Sequence, residues 1–120
     1  MIETRQLGID GELIIANFLE KKNFKILAKN YRTKYGEIDL IAQKGELIVF
    51  VEVKTRKTRY FPISTVVTTR KQKKIIKTAK FFILSNNVID KVCRFDIATI
   101  VQYSSGHEIE YIENAFFARH

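Results

Sequence analysis

The chain has 120 residues, 46% of them hydrophobic, which suits one hydrophobic core and is too few for two independent ones. Its formal net charge of +8 indicates a polyanionic partner, either a nucleic acid or an acidic membrane surface. No apolar run approaches the roughly 20 residues of a membrane helix, so we expect a soluble protein that does not span a membrane.

Cysteine usage and the first residues indicate the compartment. Cys93 is the only cysteine and lies in an apolar run, so it cannot form an internal disulfide and suits a reducing environment. Residues 1–6 lack the basic-then-apolar pattern of a secretory signal. There is no repeat, low-complexity tract or flexible linker. We therefore expect a cytoplasmic protein with a single domain over residues 1–120.

The first half of the chain predicts a helix and three strands. Apolar residues recur with near-helical spacing over residues 5–22, and residues 24–32 have the pattern of a strand. Residues 37–43 and 46–54 are typical of two hairpin strands around a Lys-Gly turn. The second hairpin strand is apolar on both faces, which indicates a central strand with other elements packed on each side.

The second half predicts one more helix and two more strands. Apolar residues over 75–83 follow one helical face while lysines occupy another, and an Asn-Asn pair ends the helix. Strands are predicted over residues 92–103 and 108–112. The order α-β-β-β-α-β-β indicates an α/β (α+β) fold, with a mixed sheet flanked by helices, for which we expect two layers.

Three charged residues of the hairpin could form a metal site. Glu52 and Lys54 project from the same face because strand residues two apart do so. Asp39 lies near Glu52 if the hairpin has the simple register set by its turn. Carboxylate oxygens, with water and a substrate phosphate, are the ligands of Mg²⁺ or Mn²⁺, and Lys54 could orient water or neutralise charge on the phosphate.

The alternative interpretation is an exposed ion pair with no chemistry, which is the commoner origin of a Glu-x-Lys string on a strand. A functional site is favoured because Glu52 and Lys54 end a doubly apolar strand, where ionisable groups are expensive to place.

Two helical residues are candidates for the same site. Glu12 shares part of the inward stripe of the first helix and could contact the metal through water, although a solvated first-turn acid fits its pattern equally well. Lys71 precedes Ile75, Ala79 and Phe82 on the packing stripe of the second helix, so we expect it to point toward the sheet and contact a phosphate or the site carboxylates.

The basic residues are concentrated in one part of the sequence. Between Lys54 and Lys80 there are ten Lys or Arg and no Asp or Glu. Phosphate contacts are favoured over a merely solvated surface because no acids interleave these residues. The predicted contacts are Arg56, Lys57, Arg59, Arg70, Lys71, Lys73, Lys74, Lys77 and Lys80.

Arg94 and Asp96 share a face of the fourth strand, where a buried structural ion pair and a functional role are equally compatible with the pattern. The two histidines stand alone, without Cys or His at zinc-like spacing.

Six strings spread over residues 8–96 resemble the bacterial YraN family. They are Gly-x-x-Gly-Glu-x-x-x-Ala over residues 8–16, Asn-Tyr-Arg over 30–32, Gly-Glu-Ile-Asp-Leu-Ile-Ala over 36–42, Phe-Val-Glu-Val-Lys-Thr-Arg over 50–56, Val-Thr-Thr-Arg-Lys-Gln over 67–72 and Arg-Phe-Asp over 94–96. That family is similar to archaeal Holliday-junction resolvases and to other PD-(D/E)xK nucleases.

The resemblance implies a restriction-endonuclease-like or tRNA-endonuclease-like core, with Glu12, Asp39, Glu52 and Lys54 as active-site positions. It further implies that Asp39, Glu52 and the Val53 carbonyl hold the metal. A resolvase-like enzyme that works on two strands is expected to form a homodimer.

The leading hypothesis is a Mg- or Mn-dependent endonuclease acting on DNA, including branched or damaged forms. Two other classes stay open. One is a nucleic-acid-binding module without turnover, and the other is a protein-interaction subunit whose basic face meets an acidic partner.

Overall fold

The computed structural model describes residues 10–57 and 67–118, and their elements follow the predicted order. The elements are α1 (Gly11–Lys21), β1 (Lys25–Thr33), β2 (Gly36–Lys44), β3 (Leu47–Arg56), α2 (Thr69–Ser85), β4 (Val92–Tyr103) and β5 (Gly106–Phe116). The α-β-β-β-α-β-β prediction is therefore confirmed, although residues 5–9 of the first predicted helix lie outside the described part.

Both helices begin at a side-chain cap. Asp10 accepts a hydrogen bond from the backbone N–H of Leu13 at 3.1 Å, and Thr68 accepts one from the N–H of Lys71 at 3.2 Å. Each cap satisfies one of the backbone donors that a helix N-terminus leaves free. Neither α1 nor α2 is long and apolar enough to cross a membrane.

The five strands form one mixed sheet in the order β1-β2-β3-β4-β5. β3 pairs with β4 in parallel and the other neighbours are antiparallel, so α2 lies in the crossover between two parallel strands. This arrangement places β3 at the centre of the sheet, as its apolar sequence predicts.

The helices cover opposite faces of the sheet. Ile48 and Phe50 of β3 pack in a core with α2, whereas Val49 and Val51 pack in a second core with α1. The fold therefore has three layers, and the expectation of two layers is wrong. An apolar pattern on both faces of a strand requires two covering layers, and here each helix supplies one.

The sheet splits between β2 and β3 at one end. The hairpin pairs run from Lys44 opposite Leu47 to Leu40 opposite Val51, which confirms the simple register. Beyond that point β2 pairs only with β1 and β3 pairs only with β4. The two strands therefore open into a fork whose first residues are Asp39 and Glu52.

Two glycines allow the helices to approach this end of the sheet closely. A Cβ at Gly11 would lie 2.7 Å from Oγ1 of Thr55, so a larger residue would push α1 away from the end of β3. A Cβ at Gly36 would lie 3.3 Å from Cβ of Lys74 in α2, and the φ of +154° at Gly36 disfavours other residues. Both contacts position helices around the fork.

Candidate metal centre

Two carboxyl groups meet at the fork between β2 and β3. Asp39 turns its Oδ2 toward β3 and accepts a hydrogen bond of 2.8 Å from the N–H of Val53. This bond replaces the strand pairing that ends at Leu40 and Val51, so the separation of the strands fixes the orientation of Asp39. The side chain of Glu52 is only 6% exposed, and its carboxyl group lies close enough to that of Asp39 to raise the pKa of Asp39.

The pKa of Asp39 is raised to about 7. Burial is the largest cause of this increase, and hydrogen bonding with Glu52 and the negative charge of Glu52 add to it. The Val53 N–H and the charge of Lys71 act in the opposite direction and are outweighed. Near neutral pH the pair therefore retains a proton on a substantial fraction of molecules, which is typical of two carboxyl groups that share one site.

Lys71 supplies a positive charge to this pair from the first turn of α2. Its Nζ lies 3.0 Å from Oε2 of Glu52, which confirms the prediction that Lys71 points toward the sheet. The contact lacks hydrogen-bond geometry, so Oε2 of Glu52 is a buried oxygen without a well-aligned donor. A divalent cation at this oxygen would therefore replace an ion pair with Lys71 and not a well-aligned hydrogen bond.

The donor set fits a hard divalent cation. Mg²⁺ is usually held by one or two carboxylates together with water and substrate phosphates, and Asp39 and Glu52 supply two. Over residues 10–57 and 67–118, no three Asp, Glu, His or Cys side chains are grouped closely enough to hold a metal by themselves. Among the described residues the contribution to a metal site is therefore the pair, which no third carboxylate joins directly.

Glu12 lies beside this pair without forming part of it. It is half-buried in the first turn of α1, and its pKa is raised mainly by burial, with further contributions from the charges of Asp39 and Asp10. The interaction with Asp39 places Glu12 within electrostatic reach of the fork. A contact from Glu12 to a metal through water stays a prediction.

Asn30 is a site residue that the sequence reasoning did not identify. A hydrogen-bonding interaction with its side chain lowers the pKa of Glu12 against the effect of burial. Its φ of +51° is left-handed, a conformation that asparagine tolerates better than most residues. The available signal was an asparagine in the middle of a predicted strand, where it is disfavoured unless the backbone needs it.

Val53 and Lys54 follow Glu52 at the open end of β3. The Val53 side chain packs in the core beneath α1 while its N–H binds Asp39, so the backbone of this residue borders the carboxyl pair. The Lys54 side chain is exposed, and strand alternation places it on the same face as Glu52. The roles predicted for the Val53 carbonyl and the Lys54 ammonium group stay predictions.

The predicted phosphate contacts surround α2. Arg70, Lys71 and Lys74 border a pocket of about 350 Å³ together with Gly36 and Glu37 of β2. Lys73, Lys77 and Lys80 border a separate groove on the other flank of the helix.

Two predicted contacts lie at the end of β3. Arg56 is half-buried and Lys57 is exposed, whereas a third predicted contact, Arg59, lies outside the described residues.

Arg94 and Asp96 form a structural ion pair on β4, where Asp96 is the strand partner of Val51. Asp96 is fully buried and accepts hydrogen bonds from Arg94 Nε at 2.9 Å and Nη2 at 3.0 Å. The Tyr111 hydroxyl donates a third bond at 2.5 Å and the Asn114 N–H a fourth at 2.8 Å. Because both carboxylate oxygens are saturated, Asp96 has no capacity left for a metal or substrate.

Comparison with known proteins gives a family and several relatives. The model of the uncharacterised protein family UPF0102 matches residues 11–100. A UPF0102 protein of Alkaliphilus metalliredigens is 41% identical over 94% of this chain and 99% of its own length. Those of Geobacter metallireducens and Dictyoglomus thermophilum are 40% and 41% identical over 96% of this chain, and the matches cover 95% and 100% of their lengths.

Proposed function

The chain belongs to the uncharacterised protein family UPF0102, which confirms the resemblance to the YraN family, and on this premise we propose that it is a Mg- or Mn-dependent endonuclease acting on DNA. The observation that carries the proposal is the pair of carboxyl groups at the fork. Asp39 and Glu52 meet where the sheet opens, and the buried Oε2 of Glu52 lacks a well-aligned hydrogen-bond donor.

Each residue around the pair has a defined part in the proposed reaction. Asp39 and Glu52 would hold the divalent cation together with the Val53 carbonyl, and Glu12 would assist through water. The cation, when bound, polarises the phosphoryl group and lowers the pKa of water. The Val53 N–H holds Asp39 in place through the 2.8 Å bond, so the carboxylate does not have to reorganise before cation binding.

Two lysines act on the phosphate in this proposal. Lys54 projects from the face of Glu52 and is exposed, so its ammonium group can approach a phosphate and neutralise the charge that develops there or orient the attacking water. Lys71 neutralises Glu52 in the absence of a cation. The Lys71 ammonium group would be available to a phosphate oxygen when Glu52 held a cation instead.

The charge distribution supports a polyanionic substrate. Lys71 joins the carboxyl pair to a pocket bordered by Arg70 and Lys74, so a phosphate backbone bound at the start of α2 lies beside the acids. Such contacts give affinity and salt dependence without sequence preference. We place this activity in the cytoplasm and expect two copies to act together on branched DNA.

A second candidate is a nucleic-acid-binding module without turnover. The observation in its favour is the Lys71–Glu52 ion pair, which balances charge at the fork without any cation. In that case the carboxyl pair is a structural element and the basic residues of α2 perform the function.

Incubation with linear, nicked, branched and single-stranded DNA separates the two candidates. Wild-type protein is expected to cleave at least one form with Mg²⁺ or Mn²⁺ and none with EDTA, whereas Glu52→Gln and Asp39→Asn are inactive but bind normally. Glu20→Gln, at an exposed acid of α1, is the matched control and retains activity. Cleavage that persists in Glu52→Gln would remove this site, and salt-sensitive binding without any cleavage would favour the second candidate.

A further inference from the structure

The flank of α2 opposite the Gly36 pocket carries a groove with a basic wall and an aromatic wall. The groove has a volume of about 240 Å³. Lys73, Lys77 and Lys80 form its basic wall, and Phe117 forms the aromatic one. Thr69, Gln72 and Ile76 complete the lining.

The three lysines form a row of exposed positive charges along the helix. All three side chains are exposed, and α2 contains no acidic residue that could pair with them. Lys73 and Lys77 are one turn apart, a rise of about 6 Å, and Lys80 follows on the same flank. A row of this kind, without interleaved acids, is suited to successive phosphates of one strand.

Phe117 is held outside the core by the residue before it. Phe116 is buried at the end of β5 and stacks on Phe95, with ring centroids 5.1 Å apart and planes at 22°. This contact anchors the backbone, while the ring of Phe117 is left 64% exposed at the groove. An isolated exposed apolar residue needs no explanation, as with Leu84, which is 71% exposed and is not part of the groove. Phe117 differs from Leu84 because it lies across the groove from three lysine ammonium groups.

We propose that this groove binds an unpaired DNA strand, with one base stacked on Phe117 and the neighbouring phosphates on the three lysines. Aromatic side chains combined with a basic groove are the usual means of binding single strands, because every base offers a stacking face. A base inside a duplex is already stacked and paired, so the ring selects strands that are open. The inference rests on the proposed function for the identification of the strand as DNA.

The groove and the carboxyl pair lie on different flanks of α2 and approach each other at its first turn. Thr69 and Gln72 border the groove at this end, and Lys71, which lies between them in the sequence, contacts Glu52. From Lys71 to Lys80 the helix rises about 14 Å, so an open strand of a few nucleotides that passes around the first turn of α2 spans the distance. The substrate class that fits is therefore DNA with an unpaired segment next to the cleavage point, as in an overhang, a flap or a branch.

Binding without cleavage tests the groove. Fluorescence anisotropy with EDTA measures the Kd of a labelled single strand of about 12 nucleotides and of a blunt duplex of the same sequence. Phe117→Ala is expected to weaken single-strand binding about 5- to 150-fold, the loss of one base-stacking contact, and to leave duplex binding unchanged. Phe117→Trp retains the affinity, and Leu84→Ala, the matched exposed control on α2, has no effect.

The outcomes distinguish the groove from the nuclease site. An unchanged single-strand Kd in Phe117→Ala, or equal losses for the strand and the duplex, overturns the proposal even if the protein cleaves DNA. If the Kd for the single strand depends on Phe117 but the protein cleaves no DNA, the groove proposal stands and the proposed nuclease function fails. Tighter Phe117-dependent binding of an RNA of the same sequence overturns the assignment to DNA.

Discussion

Nζ of Lys71 lies 3.0 Å from Oε2 of Glu52, so an ion pair joins the first turn of α2 to the point where β3 separates from β2. The positive charge of this lysine stands where a bound cation would also act on Glu52. A divalent cation and Lys71 therefore compete for the same carboxylate.

Substitution of Lys71 is expected to strengthen cation binding. In Lys71→Met the side chain keeps its length but no longer neutralises Glu52, so we expect Mn²⁺ to bind several-fold more tightly than in the wild type. The Thr68 cap is retained because Lys71 contributes its backbone N–H to it. Isothermal titration calorimetry at pH 8 measures the effect.

Lys25→Met is the matched control, since it removes one exposed positive charge from the edge strand β1 and leaves the fork intact. Weaker Mn²⁺ binding in Lys71→Met would show instead that the lysine organises Glu52 for the cation.

Cation affinity is expected to depend on pH through Asp39. Its pKa of about 7 means that below neutrality the cation must displace a proton, so affinity rises about tenfold per pH unit up to pH 7 and levels off above it. Calorimetry in buffers of different ionisation enthalpy measures the released proton. An affinity that does not change between pH 5.5 and about 8 would contradict a shared proton at this site.

The free energy of unfolding of the cation-free protein should decrease as the pH rises, whereas cation affinity increases. Between the ordinary pKa of 3.8 and the folded value of about 7, the folded protein holds a proton that the unfolded chain has lost. The free energy of unfolding therefore decreases as the pH rises through this window, and the contribution of Asp39 is constant above it. Urea unfolding with EDTA measures this as the difference between wild type and Asp39→Asn, because groups that do not interact with Asp39 titrate equally in both. If the difference in the free energy of unfolding does not change from about pH 4 to 7, the pKa of Asp39 is not raised in the folded protein.

The position of Asp39 beside Glu52 could be predicted from the sequence because a short turn fixes the hairpin register. The direction of Lys71 followed from its place on the apolar stripe of α2. Both predictions used local geometry, in which one element or one turn relates the residues.

The fork and its support from Asn30 could not be predicted in this way. Whether two strands stay paired past Leu40 and Val51 depends on β1, β4 and both helices, which compete for the same strands. The contact between Asn30 and Glu12 joins α1 to β1 through a left-handed residue, which no apolar periodicity reveals. For the same reason the sequence indicated that β3 is covered on both faces but did not assign one helix to each.

The buried Asp96 network is expected to affect stability alone. Asp96→Ala removes the two hydrogen bonds of Arg94 to a buried carboxylate and leaves Arg94 its 3.7 Å contact with the exposed Glu113, so it should lower the free energy of unfolding by about 3–5 kcal/mol. Tyr111→Phe removes one hydrogen bond and should lower it by about 1 kcal/mol. Urea denaturation measures both. Mn²⁺ binding by Tyr111→Phe should equal that of the wild type, and a loss of binding would place this network in the site.

A comparison of Gly36→Ala with Gly106→Ala can distinguish the effect of backbone strain from the effect of the packing that holds α2 at the fork. Both have a positive φ, +154° and +146°, but a Cβ at Gly36 meets Lys74 at 3.3 Å whereas nothing lies within 4 Å of one at Gly106. We expect both Gly→Ala variants to lose about 1–3 kcal/mol of stability from the strained backbone. Only Gly36→Ala should also weaken Mn²⁺-dependent cleavage, because displacement of α2 moves Lys71 relative to Glu52. Equal cleavage by the two variants, at matched folded fractions, would show that the position of α2 does not control the carboxyl pair.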